Sequence, residues 1–406
     1  MNARGRSFAV AAAGATAFVD MYATQPLLPD LRVAFGTSEA HVAATISSLT
    51  FAVAIAAPFV GPLADAIGRK RVIVTAIFAL ALVTFGASHA RSIGELIAWR
   101  FAQGLVMPGI FATTLAYIAE EYPAESAGSG VAAYIGGNVL GGWAGRYLSA
   151  IVAAHASWQV AFVALGALNV LGGAVVLALL PSSARFVRRA SFRGALVAMR
   201  GFLTDRRMLA TYAVGGCILF TLVAAFTFGT FYLAGPPFGL GTAEIGNVFC
   251  VYLFGAIATP LSGRLIDRFG NRTTVLLALA TSATGILATL LPALAAVVIG
   301  LALMSTGVFI AQAASQSYIG RIAGGSRSTA AALYLTIYYA GGGLGAIVPA
   351  WTWVHAGWPP TVGIVVGFQA LAAAFAFFGW QGPVKRERRS AHVTSAAAAG
   401  APTTIG

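Results

Sequence analysis

Ionisable side chains are scarce in this chain, and the few inside long apolar runs are where chemistry is to be expected. Among the acids only Asp20 lies well within such a run; the others fall in loops or at run ends. A charge held in hydrocarbon is costly unless paired or hydrated, so each one marks a functional candidate. A carboxylate there is pulled two ways, because desolvation favours its neutral form and a nearby cation favours its charged form. A balance between them lets the group take up a proton on one side and release it on the other. Asp20 is therefore the expected proton-coupling residue, the alternative being a permanently ionised Asp20 locked to an arginine. Arg100 and Arg146 fall at a similar depth. Arg100 is the first-choice partner of Asp20, whereas Arg146 either joins that cluster or snorkels to the headgroups.

Neutral polar groups fill the second half of the chain. Gln312 and Gln316 are four apart, share one helix face, and present two amides either to a ligand or to neighbouring helices. Phe220, Phe226, Phe228 and Phe231 recur along one run, as aromatic walls for a hydrophobic or amphipathic solute would. Nothing resembles an enzyme: His89, His155 and His355 lie near run ends, His41 follows a loop, His392 is in the tail, and none accompanies a serine or acid motif. Cys217 and Cys250 sit in apolar runs and read as small core residues. No metal, cofactor or phosphate-binding loop is expected. A membrane enzyme or a sensor is the remote alternative, and a sensor would need a soluble output domain that no segment is long enough to form.

The elements that must position these residues are membrane helices. With 406 residues, 58% apolar and 9% charged, and a mean hydropathy of +0.83, the chain lacks the charge to solvate a soluble surface. About 20 apolar residues cross the hydrocarbon, and that ruler gives twelve spans: 8–29, 40–64, 71–89, 93–118, 126–153, 157–180, 208–234, 243–266, 273–291, 293–319, 327–354 and 358–380. The first run continues past Asp20 without a processing site and is read as a retained span. The net charge of +13 would suggest nucleic acid in a soluble protein. Here the basic residues sit in the loops, and apart from Arg32 and Arg91 those loop residues all fall on one side. That asymmetry places both termini in the cytoplasm. Residues 1–180 are expected to form one six-helix bundle and 208–381 a second, joined by an arginine-rich cytoplasmic linker at 181–207 carrying an amphipathic surface helix. Residues 382–406 are expected to be a disordered tail.

Two copies of one charged hairpin support the division. Gly61-Pro62-Leu63-Ala64-Asp65-Ala66-Ile67-Gly68-Arg69-Lys70-Arg71 joins spans 2 and 3, and Gly263 to Arg272, containing Asp267 and Gly270, joins spans 8 and 9. Asp65 could accept hydrogen bonds from the amino-terminal end of a helix in the other half. Arg69 and Lys70 could meet Glu120 and Glu121 at the end of span 4, latching one face closed. The plainer reading is that these charges only orient the chain. Glycines cluster at Gly136, Gly137, Gly141, Gly142 and Gly145 and again at 341–345, where helices must approach closely.

At this point the sequence resembles the major facilitator superfamily over all twelve spans. The loop at Gly61–Arg71 matches the family signature G-x-L-A-D-x-x-G-R-K, and Arg100, Gln103 and Gly104 match R-x-x-Q-G. Gly137-Asn138-Val139-Leu140-Gly141-Gly142 is similar to the antiporter signature G-P-x-x-G-G, with Asn138 in place of the proline. Together with Tyr22 to Pro29, this segment resembles a bacterial inner-membrane subgroup of efflux permeases. The resemblance implies an all-α fold of two pseudo-symmetric six-helix bundles around a cavity that opens alternately to each side, working as a monomer. Within it Gln25, Gln103, Asn138, Arg146, Gln312, Gln316 and Tyr338 are candidate substrate contacts. The expected function is proton-coupled export of small organic or hydrophobic compounds across a bacterial inner membrane. The rival expectation is uniport or proton symport of a small organic anion, with Arg100 and Arg146 as its counter-charges.

Overall fold

The computed structural model describes residues 3–182, 199–323 and 327–380. The tail, and most of the linker with its expected surface helix, lie outside the described residues; of the linker's apolar side chains, Met199 and Phe202 are described and pack against the core. Among the described residues the structure is helical without strands. The spans are α1 (Ala3–Met21), α2 (Glu39–Ile67), α3 (Arg69–Ala87), α4 (Ile93–Glu121), α5 (Ala124–His155), α6 (Trp158–Leu179) and α7 (Arg206–Ala234), then α8 and α9, which share Thr242–Ala288 and divide at Gly270, and α10 (Leu294–Ile322), α11 (Arg327–Ala356) and α12 (Trp358–Gly379). Helices dominate because hydrocarbon offers backbone groups no other partner.

Side-chain caps set several helix starts at the water boundary. Ser38, Ser92 and Ser157 accept from the backbone N–H three residues on, and the Asp205 carboxylate accepts from the N–H groups of Arg207 and Met208. Large apolar side chains remain on the exterior, among them Leu82, Leu171, Ile257 and Phe378, where lipid is the solvent.

The first span differs from its expected extent, ending at Met21 rather than 29. Pro26 has no N–H for the carbonyl of Tyr22, so the chain runs through tight turns before a short helix at Leu28–Ala34. Asp20, expected just past the middle of its span, is instead the penultimate residue of its helix.

The packing repeats between halves. Helix α1 lies against α5 and α6 as α7 lies against α11 and α12, and α2 pairs with α4 as the 242–288 element pairs with α10. The two seams between halves, α2 with α11 and α5 with the start of α8, are related by the same shift of six helices. The glycines explain the closeness: a Cβ at Gly137, Gly141 or Gly145 would collide with the backbone of Ala11, Ala15 and Val19, and one at Gly341 or Gly345 with that of Gly216 and Phe220.

Candidate functional site

The broken end of α1 is where the charged candidates gather. Arg100, fully buried in α4, donates through Nη1 to the Asp20 carbonyl at 2.8 Å, through Nη2 to the Met21 carbonyl at 2.7 Å and through Nε to the Thr45 carbonyl at 3.3 Å. A helix carboxyl end leaves carbonyls short of donors and carries partial negative charge, and a guanidinium answers both. Arg100 thus meets Asp20 at its backbone; among the described residues their side chains form no ion pair.

The Asp20 carboxyl points elsewhere. Its Oδ2 accepts from Nδ2 of Asn169 in α6, and its Oδ1 lies 3.2 Å from the Thr84 hydroxyl of α3. Gln103 closes the cluster, with its Nε2 donating to the Thr84 hydroxyl at 2.7 Å and its Oε1 accepting from Arg100 at 2.6 Å. The Asp20 carboxyl is thus enclosed by α3, α4 and α6 of the first half and does not lie between the halves. Two residues along a helix rotate a side chain by about 200°, so Asp20 faces into its own bundle while Tyr22 faces the second half.

Arg146 occupies that seam. It is 1% exposed, so it does not reach the headgroups. Its Nε donates to Oε1 of Gln25 at 2.8 Å and its Nη1 to the Gly142 carbonyl at 2.7 Å. The guanidinium carbon stands 4.6 Å from the ring centre of Tyr22, 4.7 Å from that of Tyr252 and 5.6 Å from that of Phe249, the last two belonging to the second half. Among the described residues no carboxylate lies within ion-pair distance of it. Gln25 continues the bridge, its Nε2 lying 3.3 Å from the Thr227 hydroxyl of α7. Each cation–π contact is worth about 0.5–2 kcal/mol, which only partly offsets the loss of water around a buried charge.

The signature hairpin forms a third cluster. Arg69 holds both carboxylate oxygens of Glu120, at 2.6 and 3.0 Å, and Asp65 at 2.7 Å. Gly68 joins α2 to α3 at φ +105°, a conformation that side chains resist. The carbonyl of Glu121 accepts from Arg6, while Lys70 forms no ion pair among the described residues. Asp65 pairs with Arg69 of its own half, and among the described residues it makes no hydrogen bond to a helix start of the other half. In the second copy Gly270 repeats the positive φ, and Asn271, standing where Arg69 does, donates to the Ala314 carbonyl of α10 at 2.8 Å. Asp267 is exposed and forms no ion pair among the described residues.

The remaining candidates scatter. Gln103 belongs to the Asp20 cluster rather than to the seam. Asn138 stands against Gly14 of α1, its Oδ1 buried without a partner. Tyr338 is buried, stacked on Tyr334, and edge-on to Tyr339, which meets Phe111 of the first half at 5.7 Å. Gln312 is half-buried and Gln316 exposed, and neither joins the Arg146 cluster. Gly61 leaves open space around it. Unlike Gly137 and Gly141, Gly142 faces the seam, where a Cβ would stand 3.6 Å from the Tyr252 hydroxyl. Sequence reasoning missed Thr84, Asn169, Tyr22 and Phe249 as site residues. Asn169, an amide at the middle of the apolar run of α6, was the signal available.

Comparison with known proteins agrees with this architecture. The family model described as Major Facilitator Superfamily matches residues 10–249 and 220–404. The inner membrane transport protein YnfM of Escherichia coli is 30% identical over 354 residues, covering 87% of this chain and 85% of its own. The uncharacterized MFS-type transporter YybF of Bacillus subtilis is 29% identical over 373 residues, covering 90% and 91%. Among solved structures, a bacterial homologue of the human lysosomal transporter Spinster, inward-facing and occupied, superposes with a TM-score of 0.74 at 15% identity over 92% of this chain and 96% of that one. The nucleoside transporter NupG gives 0.72 at 15% identity, covering 92% and 98%. With its helices, hairpin repeat and seam in place, the chain belongs to the Major Facilitator Superfamily and is a multi-pass membrane transporter rather than an enzyme.

Proposed function

We propose that this transporter exports small organic compounds in exchange for protons by alternating access, with Asp20 as the group that carries the proton. The observation behind this reading is that neutral donors, rather than a cation, meet the Asp20 carboxylate oxygens. When Asp20 is ionised, the Thr84 hydroxyl donates a hydrogen bond to Oδ1. When Asp20 is protonated, it donates to Thr84, which turns its own proton to the Leu80 carbonyl 2.8 Å away. Gln103 and Asn169 can keep their bonds in both states, so the carboxyl finds hydrogen-bond partners whether or not it carries the proton.

The end of α1 links that site to the seam. Arg100 grips the carbonyls of residues 20 and 21, and the next side chains, Tyr22 and Gln25, surround Arg146. A protonation change that shifts α1 therefore alters contacts between halves. Inter-half bonds Gln25–Thr227 and Asp30–Thr242, the latter at 2.7 Å, lie toward the end opposite the signature hairpin. With the basic hairpin face cytoplasmic under the positive-inside rule, this conformation is closed toward the outside. The Asp65–Arg69–Glu120 cluster, expected to latch one face, is formed in this conformation and lies wholly within the first half, so it braces α2, α3 and α4 against one another as that half moves. The reading includes a bacterial inner-membrane location, cytoplasmic termini and a monomer in lipid.

A second reading, uniport or proton symport of an organic anion, is favoured by Arg146, which lacks a counter-ion. Reconstitution with an imposed pH gradient tests the first. Substrate added to vesicles should drive protons opposite to itself, and Asp20→Asn should abolish that movement. Undiminished coupling in Asp20→Asn would remove Asp20 from the mechanism, and protons travelling with the substrate would select symport.

A further inference from the structure

We propose that the cluster around Arg146 is the binding site for the anionic group of the substrate, and that the substrate is an organic anion, a carboxylate or sulfonate, with a flat apolar body. This rests on the reading that the seam between the halves is the transport route, and it holds whether the movement is export or import.

Charge is the first argument. Arg146 is buried, lies between the halves, and has no carboxylate within ion-pair distance among the described residues. The groups facing it are the Gln25 amide, the Gly142 carbonyl, two phenols and a phenyl ring, all neutral at physiological pH. Arg100 and Arg69, by contrast, have their donors filled by carbonyls and carboxylates of their own half. Arg146 is thus the buried cation best placed to answer an anion, and a cationic substrate at the same place would meet repulsion with no acid beside it.

Shape is the second. Tyr22, Tyr252 and Phe249 turn ring faces toward the guanidinium, and the wall continues with Phe226 stacked on Phe249 at 5.3 Å and Phe309 edge-on to Tyr252 at 4.9 Å. The Tyr22 hydroxyl is 3% exposed as a residue and has no hydrogen-bond partner among the described residues, so it is a free donor for an incoming oxygen. Such walls suit a planar ring system.

Position is the third. Arg146, Tyr22 and Gln25 come from the first half, Tyr252, Phe249 and Thr227 from the second. When the halves part, the aromatic cover leaves Arg146 and an anion enters; when they close, it is held by both. Occupancy is thereby tied to the relative position of the halves.

The test is binding at fixed pH without a gradient, using the purified full-length protein in nanodiscs and following intrinsic tryptophan fluorescence and thermal unfolding. The probes are 2-naphthoate and 2-naphthalenesulfonate against 2-naphthamide and 2-naphthylmethylamine. The anions should bind at least tenfold tighter than the amide and amine. Arg146→Gln should erase that preference, and Arg146→Lys should keep it at reduced affinity. Tyr252→Leu, which leaves the charge in place, should weaken naphthoate. The wild-type ranking alone decides the matter if Arg146→Gln fails to fold. Equal or tighter binding of the amide or amine, no binding of either anion, or an unchanged preference in Arg146→Gln would overturn the proposal. Asp20→Asn should still bind naphthoate, so failure here leaves proton coupling standing, and loss of coupling leaves the anion site standing.

Discussion

Arg100 and Arg146 are both buried arginines in the first half, yet their partners give them different work. Arg100 donates to three backbone carbonyls and one amide, which makes it the clasp of an interrupted helix. Replacing it by alanine would remove four hydrogen bonds made by a charged donor and leave the Met21 carbonyl short of its donor, and each such buried bond is worth about 1–3 kcal/mol. Arg100→Ala is therefore expected to lower the unfolding temperature of the detergent-solubilised protein by many degrees. Thr84→Val, nearly equal in volume, should fold but remove the hydroxyl that relays between Asp20 and the Leu80 carbonyl. Its proton-coupled transport should fall at least tenfold while binding of a substrate at fixed pH is retained, a split that transport and binding assays on the same preparation would read.

At the scale of elements, the two halves use one plan with different chemistry. Gly137, Gly141 and Gly145 recur every fourth residue and set α5 against the backbone of α1. Gly141→Val would drive a side chain into Ala15, and overpacking costs about 1–3 kcal/mol or more where backbone is the obstacle. A drop in folded yield and unfolding temperature is expected, whereas Gly136→Ala, where nothing stands within 4 Å, should be neutral. The two hairpins make a similar contrast. Both turn at a glycine of positive φ, but the first is held by an ion pair from α3 to α4 and the second by an amide from Asn271 to α10. Reversing the first pair, Arg69→Glu with Glu120→Arg, should recover part of the transport lost in either single variant, measured as a double-mutant cycle. Asn271→Ala should cost about 0.5–1.5 kcal/mol by removing the bond that ties the hairpin to α10, since the Ala314 carbonyl keeps its helical partner.

At the scale of the whole molecule, transport requires the halves to separate at each end in turn. Asp30 and Thr242 touch across the end opposite the hairpin, one on the short helix after α1 and the other at the start of α8. A pair of cysteines there, Asp30→Cys with Thr242→Cys, should join under oxidation and hold that end shut. Transport should stop on oxidation and return with reductant, read in the same vesicles before and after. Transport that continues through the cross-link would mean that this contact does not open during the cycle.

Composition, the spacing of apolar runs and the doubled hairpin were enough to establish a multi-span protein and its family, because a bilayer imposes length and polarity on every crossing segment whatever its neighbours. Asp20, Arg100 and Arg146 were legible as candidates for the same reason, since a charge inside such a run stands out. Their partners were not legible. Whether Asp20 faces the seam or its own bundle depends on how α1 rotates against α3 and α6, and that follows from glycine contacts with α5 and the break at Pro26. The sequence alone thus determined which residues are costly to bury, while the tertiary structure decided what each one meets: a neutral hydroxyl and amide for Asp20, backbone carbonyls for Arg100, and an aromatic cage shared by both halves for Arg146. Helix rotation sets which face looks inward, and it is governed by packing among segments far apart in the chain.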